Sequence, residues 1–282
     1  MESSEVNLLT VTRGAIAAPA GCGKTQLIAK ALANHRGNKP ILVLTHTNAG
    51  VAALRGRLER ARVPTGAYRL YTIDGWAMRL IANFPARSAH DPDILRLSIP
   101  ARDYPSIRDA AWALLQTGHV NGVVKASYAQ LIVDEYQDCS VPQHNIVYFL
   151  SLILPTCVLG DPMQAIFGFR GNTLVDWNLQ VCAHFPVVTE LTTPWRWRNA
   201  GAESFGQWLL ECRRRLMASE SIDLLTGPPE HVTWIKTTSS DEHSLRLAAA
   251  RTASPIADGR VLIIADSRNR AIQQNFASQT PG

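Results

Sequence analysis

The feature that most narrows the fold is an alternation of two kinds of segment. Short continuous apolar runs at residues 14–18, 41–44, 68–72, 131–133, 156–159 and 187–191 read as strands, and residues 24–34, 48–60 and 74–84 between them read as helices. Strands without a polar face, alternating with helices, are buried on both sides. That requires a parallel sheet with helices on both faces, so the expected architecture is α/β and doubly wound. Composition agrees, because 46% hydrophobic and 18% charged residues suit a packed core rather than disorder.

Two stretches break the rhythm. Residues 85–126 hold Pro85, Pro92, Pro100 and Pro105 among scattered Arg and Asp, and read as an inserted segment with a helix near residues 106–116. Gly227, Pro228 and Pro229 mark a second boundary. Beyond it, residues 231–236 and 260–265 look like strands around a helix at 241–251, the incomplete start of a second α/β unit. The expected division is 1–226 and 227–282. The net charge of +5 favours polyanionic partners, although modestly basic soluble proteins are common. Cys22, Cys139, Cys157, Cys182 and Cys212 form no C-x-x-C pair, so neither a zinc site nor a disulfide framework is expected. Free thiols fit a reducing cytoplasm. No signal peptide and no membrane-length apolar run is evident, and a soluble cytoplasmic protein without membrane association is the expectation.

The segment Ala18-Pro19-Ala20-Gly21-Cys22-Gly23-Lys24-Thr25 follows a strand and opens a helix. Gly21 and Gly23 let the backbone curl so that N–H groups face a phosphate chain, with the positive end of the helix dipole behind them. Lys24 supplies a point charge for β- and γ-phosphates, and Thr25 a hydroxyl for Mg²⁺. Gln26 continues the first turn, and Ala20 and Cys22 contribute loop backbone. Farther on, the apolar run 131–133 enters Asp134-Glu135-Tyr136-Gln137-Asp138. Adjacent carboxylates at the end of a buried strand are costly without a partner. In a phosphate-loop protein Asp134 can hold Mg²⁺ and Glu135 can polarise the attacking water.

These segments, followed by Gly160-Asp161-Pro162-Met163-Gln164-Ala165-Ile166-Phe167-Gly168-Phe169-Arg170-Gly171, resemble motifs of UvrD/Rep-type superfamily 1 DNA helicases. Thr45-His46-Thr47-Asn48-Ala49, Thr72-Ile73-Asp74-Gly75-Trp76, and Leu191 with Pro194-Trp195-Arg196 are similar to further motifs in the same order. The loop's opening Ala18 also matches the family. The resemblance implies a RecA-like P-loop NTPase lobe that uses ATP and Mg²⁺ to move on single-stranded DNA with 3′-to-5′ polarity. It implies that Gln164 senses the γ-phosphate, that Arg196 acts as an arginine finger, and that Trp195 either stacks on adenine or packs in the core. It places Thr45, His46, Thr72, Trp76, Phe167, Phe169 and Arg170 toward DNA. Phe169 either stacks on a base or is packed, and His46, where relatives carry Phe, either stacks or serves as a structural hydrogen-bonding group. Arg213-Arg214-Arg215 reads as a solvated helix face or as a phosphate contact.

Three features depart from the family pattern. No Gln precedes Lys24, which leaves adenine specificity loose or resting on Trp195. The inserted segment is short. The run 261–269 looks like the beginning of a second lobe that ends at Gly282. Besides a DNA-dependent ATPase lobe, two other readings stand: a nucleotide-gated module that binds DNA or a second chain supplying the missing lobe, and a truncated reading frame without independent function.

Overall fold

The computed structural model of the chain describes residues 6–165, 168, 173–225, 227–230, 232–252, 259, 261–264 and 269–279. Two compact units emerge, Met1–Arg214 and Arg215–Gly282. The division falls ahead of the Gly227-Pro228-Pro229 segment.

In the first unit six strands form one sheet: β1 (Arg13–Ala17), β2 (Ile41–Thr45), β3 (Tyr68–Thr72), β4 (Leu131–Val133), β5 (Thr156–Gly160) and β6 (Val187–Glu190). Their order is β3-β2-β4-β5-β1-β6, and every pairing is parallel. The helices are α1 (Lys24–Asn34), α2 (Asn48–Arg60), α3 (Ile73–Asn83), α4 (Pro85–Ser88), α5 (Pro100–Gln116), α6 (Asn121–Ser127), α7 (Val141–Ser151), α8 (Cys182–His184), α9 (Trp195–Asn199) and α10 (Glu203–Met217).

The two-residue period of a strand sorts each side chain to one face or the other. Leu42, Leu44, Leu131, Val133 and Val158 join Ile73, Ile107 and Ile146 in one core. Ile41, Val43, Ile132, Cys157 and Leu159 join Ile28, Leu32, Leu54 and Leu58 in the other. The continuous apolar runs thus supply two cores from one sheet, as their lack of alternation requires. β5 lies between β1 and β4, so the loops that leave these three strands converge at one end of the sheet, where open α/β sheets bind ligands. With the glycine loop leaving β1, this is a RecA-like P-loop fold.

The inserted segment differs from the expected single helix at 106–116. It is helical over most of its length, with α5 beginning at Pro100. Pro85, Pro92 and Pro100 each sit in the first positions of a helix or 3-10 turn, where a missing N–H costs nothing. They start elements instead of breaking them. Asp103 strengthens the start of α5 by accepting the Ile99 N–H at 2.8 Å. In the second unit, described by itself, α11 (Glu242–Ala250) matches the expected helix, and α12 (Arg270–Ala277) was not foreseen. The expected strands at 231–236 and 260–265 are a correction: their described residues carry no strand. Apolar content alone does not make a strand, which needs a neighbour to pair with, and Leu262 and Ile264 are exposed. No helix among the described residues is long and apolar enough to cross a membrane.

A buried polar chain ties α7 to the end of β4. The Tyr136 hydroxyl meets His144 Nδ1 at 2.8 Å, and His144 Nε2 meets His184 Nδ1 at 2.9 Å. Burial, with the neighbouring His184 adding to it, pushes the His144 pKa down from 6.5 to about 4. A histidine whose folded pKa is depressed takes its proton preferentially in the unfolded chain, so stability is lost as pH falls from 6.5 toward 4. Over that window the wild-type chain is expected to lose on the order of 3 kcal/mol more than His144→Gln, read as urea-unfolding free energies at each pH. The same measurement at pH 7 checks the core: Leu42→Ala on fully buried β2 should cost ~2–5 kcal/mol, whereas Leu179→Ala, 78% exposed, should leave stability within about 0.5 kcal/mol.

Candidate functional site

The loop between β1 and α1 is held from both ends. The Ala18 N–H donates to the Gly160 carbonyl at 2.8 Å, and the Cys22 N–H to the Pro19 carbonyl at 3.0 Å. Gly21 and Gly23 lie at φ +77° and +89°, in the left-handed region where a side chain is strained. Space excludes a side chain there as well. A Cβ on Gly21 would sit 2.4 Å from Trp197 Cζ3, and one on Gly23 2.9 Å from Trp195 Cδ1. These contacts exist because α9 lies directly on the loop, with the Arg196 N–H donating to the Gly21 carbonyl at 3.0 Å. No side chain caps α1, which leaves its first N–H groups without a capping acceptor, the usual arrangement at an anion site.

The acidic strand end meets this loop through one ammonium group. Lys24 Nζ lies 3.1 Å from Asp134 Oδ1 and 2.5 Å from Glu135 Oε2. Burial works against the Lys24 charge, but the two carboxylates outweigh it and its pKa is raised. The carboxylates respond differently. Burial dominates at Asp134 and raises its pKa despite Lys24. At the more open Glu135 burial is outweighed by Lys24 and by a hydrogen bond from Gln137, and the pKa is lowered. Glu135 is therefore the better-ionised member of the pair. Its backbone is left-handed at φ +53°, a cost of about 1–3 kcal/mol for a residue with a side chain. Gln137 Nε2 donates to Glu135 Oε2 at 2.9 Å and to Asp138 Oδ2 at 3.1 Å, while its carbonyl accepts the Asp161 N–H at 3.0 Å. Burial and the charge of Glu135 push Asp138 up to about 6.

A cleft of about 930 Å³ opens above these groups. Of the residues singled out from sequence, Ala20, Gly21, Gly23, Lys24, Thr25, Gln26, Glu135, Gln164, Trp195 and Arg196 line it. Cys22 is buried under the loop and Asp134 lies almost wholly buried behind Lys24. Trp195 is 45% exposed, which decides against core packing. Arg198 stands 5.0 Å from its ring centroid, and Arg196 stands 5.6 Å from that of Trp197, within cation–π range. Sequence reading missed Arg57 and Arg60, which enter the same cleft from the last turn of α2. Their spacing of three on one helix face was the available signal.

Arg213 is a further correction to a reading of the basic run as a solvated face. Its side chain is 13% exposed and its Nη1 lies 2.6 Å from Asp161 Oδ1. Arg214 does lie at the surface, paired with Glu211 at 2.8 Å, and Arg215 donates to the Ser221 carbonyl.

The residues expected to face DNA separate into three groups. Thr45 and Trp76 are buried, at 1% and 4% exposure. Trp76 packs in the core with Ala77 and Leu80 because α3 turns that face inward, so a base-contact role for it is corrected to a packing role. His46 and Thr72 are half-buried. Thr72 caps α3 by accepting the Gly75 N–H at 2.9 Å. His46 belongs to a structural network: burial lowers its pKa, against the pull of Asp74 and a hydrogen bond with Gln143. Asp74 in turn takes two 2.7 Å bonds from Arg108 and one of 3.1 Å from Gln143. Phe167, Phe169 and Arg170 lie outside the described residues.

Residues 100–178 match the family described as the UvrD/REP helicase N-terminal domain. That stretch includes Asp134, Glu135 and Gln164 and begins after the glycine loop. A solved complex of arterivirus nonstructural protein 10, a helicase, with DNA is similar at 15% identity and a TM-score of 0.41. The likeness covers 81% of this chain and 44% of that one, so the chain spans less than half that structure's length. No curated protein matches the chain. The matched segment, the glycine loop and the strand-end carboxylates are thus all set on one parallel sheet, and it is the segment 100–178 that is similar to the UvrD/REP helicase N-terminal domain.

Proposed function

We propose that the cleft binds ATP with Mg²⁺ and hydrolyses it to ADP and phosphate, coupled to single-stranded DNA. The observation that carries this reading is Lys24 bridging Asp134 and Glu135 on the floor of a cleft walled by Gln164 and Arg196. The lysine is charged, stands at the first position of α1, and can trade its carboxylate partners for phosphate oxygens. Loop N–H groups and Lys24 bind the phosphate chain, and Glu135, the better-ionised carboxylate, accepts the proton of the attacking water. Arg196 and Gln164 face the charge that develops on the transferred group. Thr25 and Asp134 offer a hydroxyl and a carboxylate oxygen, hard donors that suit a Mg²⁺ ion completing its shell with phosphate oxygens and water. That ion would supply charge neutralisation between the outer phosphates.

The wall made by Trp195, Arg57 and Arg60 suits the base end, because an indole face and guanidinium groups hold a planar ring by stacking. For single-stranded DNA the reading draws on the resemblance, which assigns Phe167, Phe169 and Arg170, and on the +5 net charge. Base stacking on such aromatics contributes roughly 1–3 kcal/mol per base. The 3′-to-5′ polarity is carried over from the family alone, and a second chain could supply a further lobe.

Glu135→Gln should keep ATP binding while phosphate release falls ~10²–10⁴-fold, and Lys24→Ala should lose both, measured by equilibrium binding of a fluorescent ATP analogue beside a phosphate-release assay. Turnover at the wild-type rate in both variants would refute the assignment. Gly21→Ala, which meets both a left-handed backbone and Trp197, should cost about 1–3 kcal/mol of stability and weaken nucleotide binding. Thermal unfolding with and without ADP reads both effects.

A further inference from the structure

Asp161 presents an electrostatic problem at the proposed nucleotide site. Its side chain is 3% exposed, and its carboxylate reaches the phosphate loop itself. Oδ2 accepts the Ala20 N–H at 3.2 Å, and Oδ1 accepts the Met163 N–H at 3.1 Å. The Asp161 N–H is tied to Gln137, which also holds Glu135. This one residue therefore pins the loop and registers it against the catalytic strand end. It also places a buried negative charge directly behind a loop that must receive a polyphosphate. In a site of reduced dielectric such a charge repels the ligand strongly.

The chain answers that charge with Arg213. α10 packs close against α9, since a Cβ on Gly206 would lie 2.9 Å from Trp197 Cβ. That seat delivers the Arg213 guanidinium to Asp161 Oδ1 at 2.6 Å. The pair is specific. Arg213 Nε and Nη2 are buried with no hydrogen-bond partner among the described residues, and a second carboxylate, Glu190, stands farther off at 4.0 Å and is half exposed. Burying a guanidinium for a single strong partner is expensive as a stability device. It is economical if the partner's charge must be cancelled for another reason. Arg213 also acts on the loop, lowering the thiol pKa of Cys22 against the larger effect of burial.

We infer that Arg213 is a positioning residue of the nucleotide site: by neutralising Asp161 it lets that carboxylate anchor the phosphate loop without repelling the phosphates bound in front of it. The inference rests on the nucleotide-binding reading given above. Its test is a charge cycle on the full chain, using ADP with Mg²⁺ and titration calorimetry well below each variant's melting temperature. Arg213→Gln, which strands the Asp161 charge, should weaken ADP binding roughly tenfold or more, while Arg213→Lys should stay within about threefold of wild type. The diagnostic variant is Asp161→Asn combined with Arg213→Gln. Removing the charge together with its neutraliser should restore most of the lost affinity, while Asp161→Asn alone, which leaves an unpaired guanidinium behind the loop, should cost stability without repelling the phosphates. A purely structural role predicts that the double variant binds no better than Arg213→Gln. That result, or wild-type affinity in Arg213→Gln, overturns the inference while leaving nucleotide binding intact. A wild-type chain that binds no ADP overturns the nucleotide reading and this one with it.

Discussion

The site depends on one ammonium group. Asp134 and Glu135 are adjacent carboxylates at the end of a fully buried strand, and two such charges cannot share that place unless a cation joins them. Lys24 does so from the first turn of α1, at 3.1 and 2.5 Å. The bond that makes the acids tolerable thus also closes the glycine loop onto the strand end. Because Asp134 is nearly buried and Glu135 more open, the shared lysine leaves them unequal, with one pKa raised and the other lowered.

Around this pair, polar contacts link segments far apart in sequence. Gln137 connects Glu135 to the main chain of Asp161, and Asp161 connects to Ala20 in the loop and to Arg213 in α10. The Arg196 N–H holds the other side of the loop at the Gly21 carbonyl. Each bond is modest alone, worth roughly 0.5–3 kcal/mol net depending on charge. As a connected set they fix the relative positions of the loop, the strand-end acids and α9, the preorganisation that the proposed hydrolysis would require.

Much of this was legible in the sequence because its signals are local. Continuous apolar runs mark strands buried on both faces, and α1, α2, β3 and β4 fall on the residues their patterns indicated. The loop and the acids were legible for the same reason: their chemistry needs neighbours in sequence. What escaped reading depends on contacts across the fold. Arg57 and Arg213 look like ordinary helix-surface arginines until packing carries one into the cleft and the other to a buried carboxylate. Trp76 sits at a strand-end motif that suggested DNA, yet helix phase turns it into the core. Pro85, Pro92 and Pro100 of the inserted segment read as breaks, although in first-turn positions they begin helices or a 3-10 turn. The apolar runs of the second unit read as strands, but strand formation depends on a pairing partner that no local pattern supplies.

The most direct test of the central claim is steady-state phosphate release from ATP by the full chain with Mg²⁺, with and without single-stranded DNA. Mg²⁺-dependent turnover that rises when single-stranded DNA is added is the result that this arrangement of Lys24, Glu135 and Arg196 predicts. A chain that is folded and binds nucleotide, yet releases no phosphate with or without DNA, would contradict it.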